Sequence, residues 1–508
     1  MNTLTMVDDD FARFHEHLLR GDFVHTPRLG EIQIMHDHLL RTDARGNIDY
    51  FAPASLPASK DIMASMPVKP TSVPAGAFMI PTFCDLHLHA PQFLYQGTGL
   101  HLPLMEWLNE YAFKAEERLD SDPELAERVY KRLAYRLLEH GTGAVVLFGT
   151  IKTETNLILA RVMQEVGQLR AFVGKLSMDQ SSRPTYVEDS AKASLEDAED
   201  FCDRCIDMFR SLPEHRRLVE PVLTPRFVPT CSRELLSGLG DLAERKSLRI
   251  QSHMAEAHDQ VQHVLSEHGE ADLDVFRASN LLTPRTVQAH CTFLSPEELR
   301  EVAATGTAIA HCPLSNAYFS AEPFRLREAL DGGVRVGLGT DIAGGYSVDT
   351  MNAMRHAVAV SRMREGARVA AKMRSASPAT NVNEGRDDDK PVSINWKEAL
   401  YLATRGGALG LGLPDGCGTF TIGAPFDAQW IELVDADGDG EAIGELGFLD
   451  DATKPGVASL DLEMVEKWWC LGDARNRRAV FIQGRVAGWK KTHGSGFTLS
   501  SSAGDARG

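Results

Sequence analysis

A chain of 508 residues with 43% hydrophobic and 24% charged side chains has an ordinary globular composition, which excludes wholesale disorder. Its 71 acidic against 53 basic residues give a net charge of -18, which repels phosphate backbones and anionic lipid and makes nucleic acid and membranes poor partners. No stretch approaches the roughly 18 apolar residues of a membrane span, and the acidic opening MNTLTMVDDD is unlike a signal peptide, so a soluble cytoplasmic protein is expected.

From about 20 to 80, short apolar runs broken by Pro and Gly, such as GDFVHTPRLGEIQIMHDHLL and SVPAGAFMIPTF, predict small strands and turns. Beyond them, eight compact apolar runs alternate with charge-laced, helix-like segments. They are AFMIPTFCDLH (77–87), AVVLFGT (144–150), AFVGKL (171–176), LVEPVLTPRF (218–227), LRIQSHM (248–254), TVQAH (286–290), TAIAH (307–311) and VRVGLGTD (334–341). Continuous apolar strands separated by helices are the pattern of a parallel sheet buried on both faces, and a count of eight closes a (β/α)8 TIM-type barrel. The fold class is therefore α/β.

After about 412, GTFTIGAPFDAQWIEL and RRAVFIQGRVAGW return to short strands with Gly turns. The two ends are expected to form one small flanking β-sandwich, from residues 1–80 and 413–490, around a barrel spanning 81–412. The polar, charge-rich stretch 374–393 is read as a flexible insertion, and 491–508 as a flexible tail. Eight scattered cysteines are too few for a disulfide scaffold, and the lone C-x-x-C pair, Cys202 and Cys205, lacks a second pair to complete a zinc site. It is read as an ordinary helix face.

Functional residues of such barrels sit at the C-terminal ends of the strands. The first strand ends in His87-Leu88-His89, whose alternation turns both imidazoles to one side. The fourth ends in Arg226-Phe227, the fifth in His253 with Glu256 three residues on, the sixth in His290, the seventh in His311 and the eighth in Asp341. Each is weak alone, but histidines and a carboxylate converging on one rim suit a divalent ion such as zinc or iron(II) with a water position open. His311 is read as structural. The P-C-x-x-C element of the cytidine-type zinc deaminases is missing, as are a P-loop, a G-x-S-x-G elbow and a G-x-G-x-x-G after a strand.

Through HAPQ (89–92), LPLMEWLNEYAFKAEERL, RAFVGKLSMD, TPRF (224–227), QSHMAE, AHCTFLS, IAHCPLSN and TDIAGGYS (340–347), most of the chain resembles the metal-dependent amidohydrolase superfamily and, within it, its guanine-deaminating branch. The resemblance implies one zinc per chain, held by His87, His89, His253 and Asp341. It implies that Asp341 and His290 orient water and accept its proton, and that Glu256 shuttles a proton to the ring and then to the departing amine. Gln92 and Arg226 would read the purine, Phe227 would stack on it, and His89, His253, Glu256 and Asp341 would also face it. Guanine and water would be the substrates, xanthine and ammonia the products, and a homodimer the assembly. Two alternatives remain: an amidohydrolase acting on another aminated heterocycle, a pterin or an aminotriazine, and a non-catalytic scaffold of the same fold.

Overall fold

The computed structural model describes residues 18–375, 390–435, 441–447, 459–490 and 497–499. Five strands precede the barrel: β1 (Leu18–His25), β2 (Gln33–Thr42), β3 (Ile48–Pro53), β4 (Thr71–Ser72) and β5 (Ala77–Pro81). Eight parallel strands then pair in chain order: β6 (Phe83–His89), β7 (Thr142–Phe148), β8 (Arg170–Ser177), β9 (Val219–Pro225), β10 (Arg249–Met254), β11 (Thr286–His290), β12 (Ala308–His311) and β13 (Arg335–Leu338). Beyond β13 the chain closes the circle on β6, with Asp341 N–H donating to His87 O and His89 N–H to Ile342 O, both at 2.8 Å. This closure needs a residue without a side chain at Gly339, where a Cβ would sit 2.7 Å from Cys312 Sγ and 2.9 Å from His87 Cβ.

All eight sequence-predicted strands are present, with one refinement. The run 77–87 is two strands, divided at Thr82, whose N–H donates to Asp427 O at 3.2 Å. Pro81, which has no N–H, ends a ladder with the terminal sheet, and Phe83 begins the barrel.

Inside the barrel, Cys84 and Leu86, Ala144 and Val146, Phe172, Val222, Ala289, Ala308 and Ala310 from successive strands form one core, plugged by Ala408 and Leu411. Outside, helices cover the strands with apolar stripes. The helix Pro123–Glu139 starts where Asp122 caps Leu125 N–H, with Pro at its first turn, and buries Ala126, Val129, Tyr130, Leu133, Ala134 and Leu137 at helical spacing. Each such Leu contributes about 2 kcal/mol of burial.

The flanking β-sandwich expected from both ends is built as one nine-stranded sheet with a core on each face, completed by β14 (Ala428–Glu432), β15 (Arg477–Ile482), β16 (Arg485–Lys490) and β17 (Phe497–Leu499). Its alternation is clean: Phe78, Ile80, Ile431, Val480 and Ile482 join the barrel's outer core, while Met79, Trp430, Ala479 and Phe481 pack with Phe420 and Phe426 in a core of their own. Strand β17 interrupts the tail expected from 491 onward, because buried Phe497 packs edge-on against Tyr135 at 6.1 Å between centroids. Most of the expected insertion, residues 376–389, lies outside the described residues. Cys202 and Cys205 are both buried in the helix Ala191–Phe209, their thiols pushed up by burial, and among the described residues neither joins a metal-type cluster. No described helix is long and apolar enough to cross a membrane.

Candidate active site

The histidines of β6 reach the barrel mouth through a break in strand regularity. Cys84 and Leu86 face the lumen, so strict alternation would turn His87 and His89 away from it. A register shift between Asp85 and Leu88 changes the parity and carries both imidazoles inward. Asp85 secures this bend. Its carboxylate accepts from His87 N–H (3.2 Å), Thr340 N–H (3.0 Å) and Thr340 Oγ1 (2.5 Å), tying β6 to the segment that carries Asp341. Burial pushes Asp85 up to about 7. His290 and Asp341 take left-handed backbone angles, φ +68° and +50°, a local strain that aims strand-end side chains into the site.

Four imidazoles and two carboxylates meet there. His89 Nε2 lies 2.9 Å from His253 Nε2, and Asp341 Oδ1 lies 3.1 Å from His87 Nε2 and 3.7 Å from His89 Nε2. His290 Nε2 is 3.8 Å from Asp341 Oδ2 and 3.6 Å from Glu256 Oε1. Phe148 braces three of the rings, with centroids 4.8 Å from His87, 4.7 Å from His89 and 4.5 Å from His253. His253 Nδ1 donates to Arg226 O at 2.5 Å, which leaves an Nε2 lone pair aimed at the centre. His290 is oriented by Asn316 Oδ1, 2.9 Å from its Nδ1.

The cluster fits a divalent cation. His290 Nε2 is buried with no hydrogen-bond partner, and His87 Nε2 makes no well-aligned hydrogen bond despite Asp341 Oδ1 at 3.1 Å, although buried polar atoms are normally paired. Ligand atoms of His87, His89 and His253 lie within 4.8 Å of one another, as do those of His87, His290, Cys312 and Asp341. Burial, reinforced by neighbouring imidazoles, holds His87, His89 and His253 well below the usual histidine range, so they stay neutral, the form that binds metal. Burial likewise raises Asp341, and burial with the charge of Asp341 raises Glu256 well above the usual carboxylate range. A cation between them would favour the ionised carboxylates instead.

Beside this cluster is a small, partly open pocket whose walls include Gln92, Trp107, Arg226, Phe227, Glu256, Phe319 and Asp341. Its far wall is polar by design of the chain: Arg226 donates from Nη1 and Nη2 to Glu116 at 2.5 and 3.1 Å, and Gln92 Nε2 donates to the same carboxylate at 3.1 Å. Gln92 Oε1 accepts from Ala343 N–H at 3.1 Å. The Phe227 ring stands edge-on to His253, 6.2 Å between centroids.

Every residue singled out in the sequence at the strand ends except His311 therefore converges on this cluster or its pocket. His311 is buried against Phe324 at 5.1 Å, and burial, with the nearby His290, lowers it to about 3. Sequence reasoning missed Glu116, Asp85, Phe148, Asn316 and Cys312. Glu116 lies within LPLMEWLNEYAFKAEERL, on a helix whose charged residues read as a solvated face, yet its own side chain is fully buried.

The sequence matches the Amidohydrolase family over residues 78–487. Guanine deaminase of Mus musculus is 34% identical over 473 residues, 92% of this chain and 96% of its own. The probable guanine deaminase of Schizosaccharomyces pombe is 34% identical over 477 residues, 92% of this chain and 82% of its own. Among solved structures, guanine deaminase from C. acetobutylicum with bound guanine in the active site superposes with a TM-score of 0.77 at 28% identity, covering 93% of this chain and 99% of that one.

Proposed function

The chain belongs to the amidohydrolase family, and from that premise we infer that it catalyses the hydrolytic deamination of guanine. The observation that carries this reading is the adjacency of a cation-type cluster, with unpartnered buried ring nitrogens, to a pocket walled by Arg226 and Gln92. We propose one zinc per chain, held by His87, His89, His253 and Asp341. When bound, such an ion would lower the pKa of its water to about 7 and so supply hydroxide at neutral pH.

The chain's own residues do the rest. Asp341 and His290, their reacting atoms 3.8 Å apart, orient the attacking water and accept its proton. Guanine lies with C2 toward that water, with Arg226 donating to its O6 and Gln92 both donating and accepting at the ring edge. Phe227 packs on the purine face. Glu256, buried at the pocket wall with Oε1 3.6 Å from His290 Nε2, is placed to carry a proton between the water and the substrate. It protonates ring N3 as the C2–O bond forms, takes up the proton of the new C2 hydroxyl and delivers it to the amino group as the C–N bond breaks, and the water proton held by Asp341 and His290 then restores Glu256. Water and guanine become xanthine and ammonia.

A polar wall of this kind rejects analogues that leave its groups unpaired, which sets guanine apart from adenine. A substrate panel of guanine, adenine, an aminopterin and an aminotriazine tests the assignment. Guanine is expected to be turned over with the highest kcat/KM, and a higher value for the pterin or the triazine would replace it. The resemblance further supports a cytoplasmic homodimer, which sedimentation of the purified protein checks.

A further inference from the structure

Arg226 and Gln92 border the pocket, but Glu116 does not. It sits behind both, on the helix Phe113–Ser121, and its side chain is 0% exposed. One carboxylate thus receives two guanidinium nitrogens and one amide nitrogen. Because a carboxylate paired with arginine only accepts, and because Ala343 N–H already faces Gln92 Oε1, the amide orientation of Gln92 is fixed. The Phe113 ring also packs against the guanidinium, 4.8 Å from Cζ to centroid.

Two consequences follow from this arrangement. Both groups are held in one geometry before any ligand arrives, which removes an ordering cost from binding. The formal charge of Arg226 is also cancelled at 2.5 Å, so the wall offers N–H donors without net positive charge. A neutral oxopurine gains those hydrogen bonds. An anionic purine gains no compensating cation from this wall for the water it loses there.

Resting on the reading of the pocket as a purine site, we propose that Glu116 is a positioning residue that acts through Arg226 and Gln92 to make the pocket select neutral oxopurines and exclude anionic ones. By the same account it limits retention of acidic purine products.

The test is direct binding of two purines to the metal-loaded protein at neutral pH, hypoxanthine as the neutral probe and urate as the anion, beside guanine kinetics. In wild type hypoxanthine binds more tightly. In E116Q the uncancelled guanidinium shifts the urate-to-hypoxanthine affinity ratio toward urate by about tenfold or more, and KM for guanine rises by about tenfold with a smaller change in kcat. E116D, which keeps the charge and shortens the reach, raises KM while leaving the ratio at its wild-type value. The double variant E116Q/R226Q loses the urate preference again, since both charges are gone.

An unchanged ratio in E116Q overturns the proposal, as does an equal shift in E116D. If burial of the unpaired Arg226 keeps E116Q from folding, R226Q decides, because it leaves Glu116 uncancelled. Urate must then weaken relative to hypoxanthine, and no weakening refutes the idea. Failure of wild type to convert guanine would sink the proposed function, whereas the binding ratio reads Glu116 independently of turnover.

Discussion

The two halves of the pocket are built on different principles. On the side proposed for the cation, His87, His89, His253, His290 and Asp341 all stand at or near strand ends, where the barrel itself aims them inward. On the side proposed to take the purine, the wall is held by the contact of Arg226, just after β9, with Glu116, on a helix 110 residues earlier in the chain. The first half is fixed by local backbone geometry and the second by a buried ion pair. Chemistry can thus be lost from one half without emptying the other, and each half should fail in its own way.

The largest failure belongs to the cation side. His89→Ala removes a ring nitrogen 2.9 Å from His253, so metal content and turnover fall together, with kcat reduced on the order of 1000-fold or more. Metal analysis of the purified variant beside its kcat checks this, and retained metal would break the assignment. Glu256→Gln comes next: it keeps the metal while losing about 100- to 10000-fold in kcat, because an amide cannot carry the proton. Wild-type activity in that variant would end the shuttle role.

Arg226→Gln separates the halves most cleanly. It is expected to keep metal at the wild-type level and to lose about 100-fold in kcat/KM for guanine. It also strands a fully buried Glu116, lowering unfolding free energy by about 3 to 5 kcal/mol, which denaturant titration would show. Parallel loss of metal and turnover would instead make Arg226 a support for His253 through its carbonyl.

The smallest effect on turnover is expected at His311. Replacing it with Gln should cost less than about tenfold in kcat at pH 7.5. Its signature lies in acid stability. The imidazole titrates at about 3 when folded against an ordinary value of 6.5, so the unfolded chain binds the extra proton between these values. The stability it provides is complete above pH 6.5 and drains away as pH falls toward 3. Unfolding measured against pH should therefore be less steep for His311→Gln within that window, and an unchanged slope would contradict the buried neutral state.

The same contrast explains what could be read from the residues alone. The eight apolar runs and their histidine endings are local patterns, and they named the barrel and its rim. The sequence could not show that 77–87 divides at Thr82, because both pieces are equally apolar and only the pairing of Pro81 with β14 separates them. Nor could it show the register shift that turns His87 inward, because simple alternation gives the same conclusion by a wrong route. Glu116 was hidden for a different reason. A glutamate between Lys114 and Arg118 on an amphipathic helix looks solvated, and only the fold brings Arg226 to it.

One measurement reaches the central claim directly: guanine conversion to xanthine followed by ultraviolet absorbance, with metal content determined on the same sample before and after chelation. The account predicts turnover with close to one zinc per chain, lost on chelation and restored when metal is returned. Full metal with no turnover of guanine would contradict it, as would undiminished turnover after the metal has been removed.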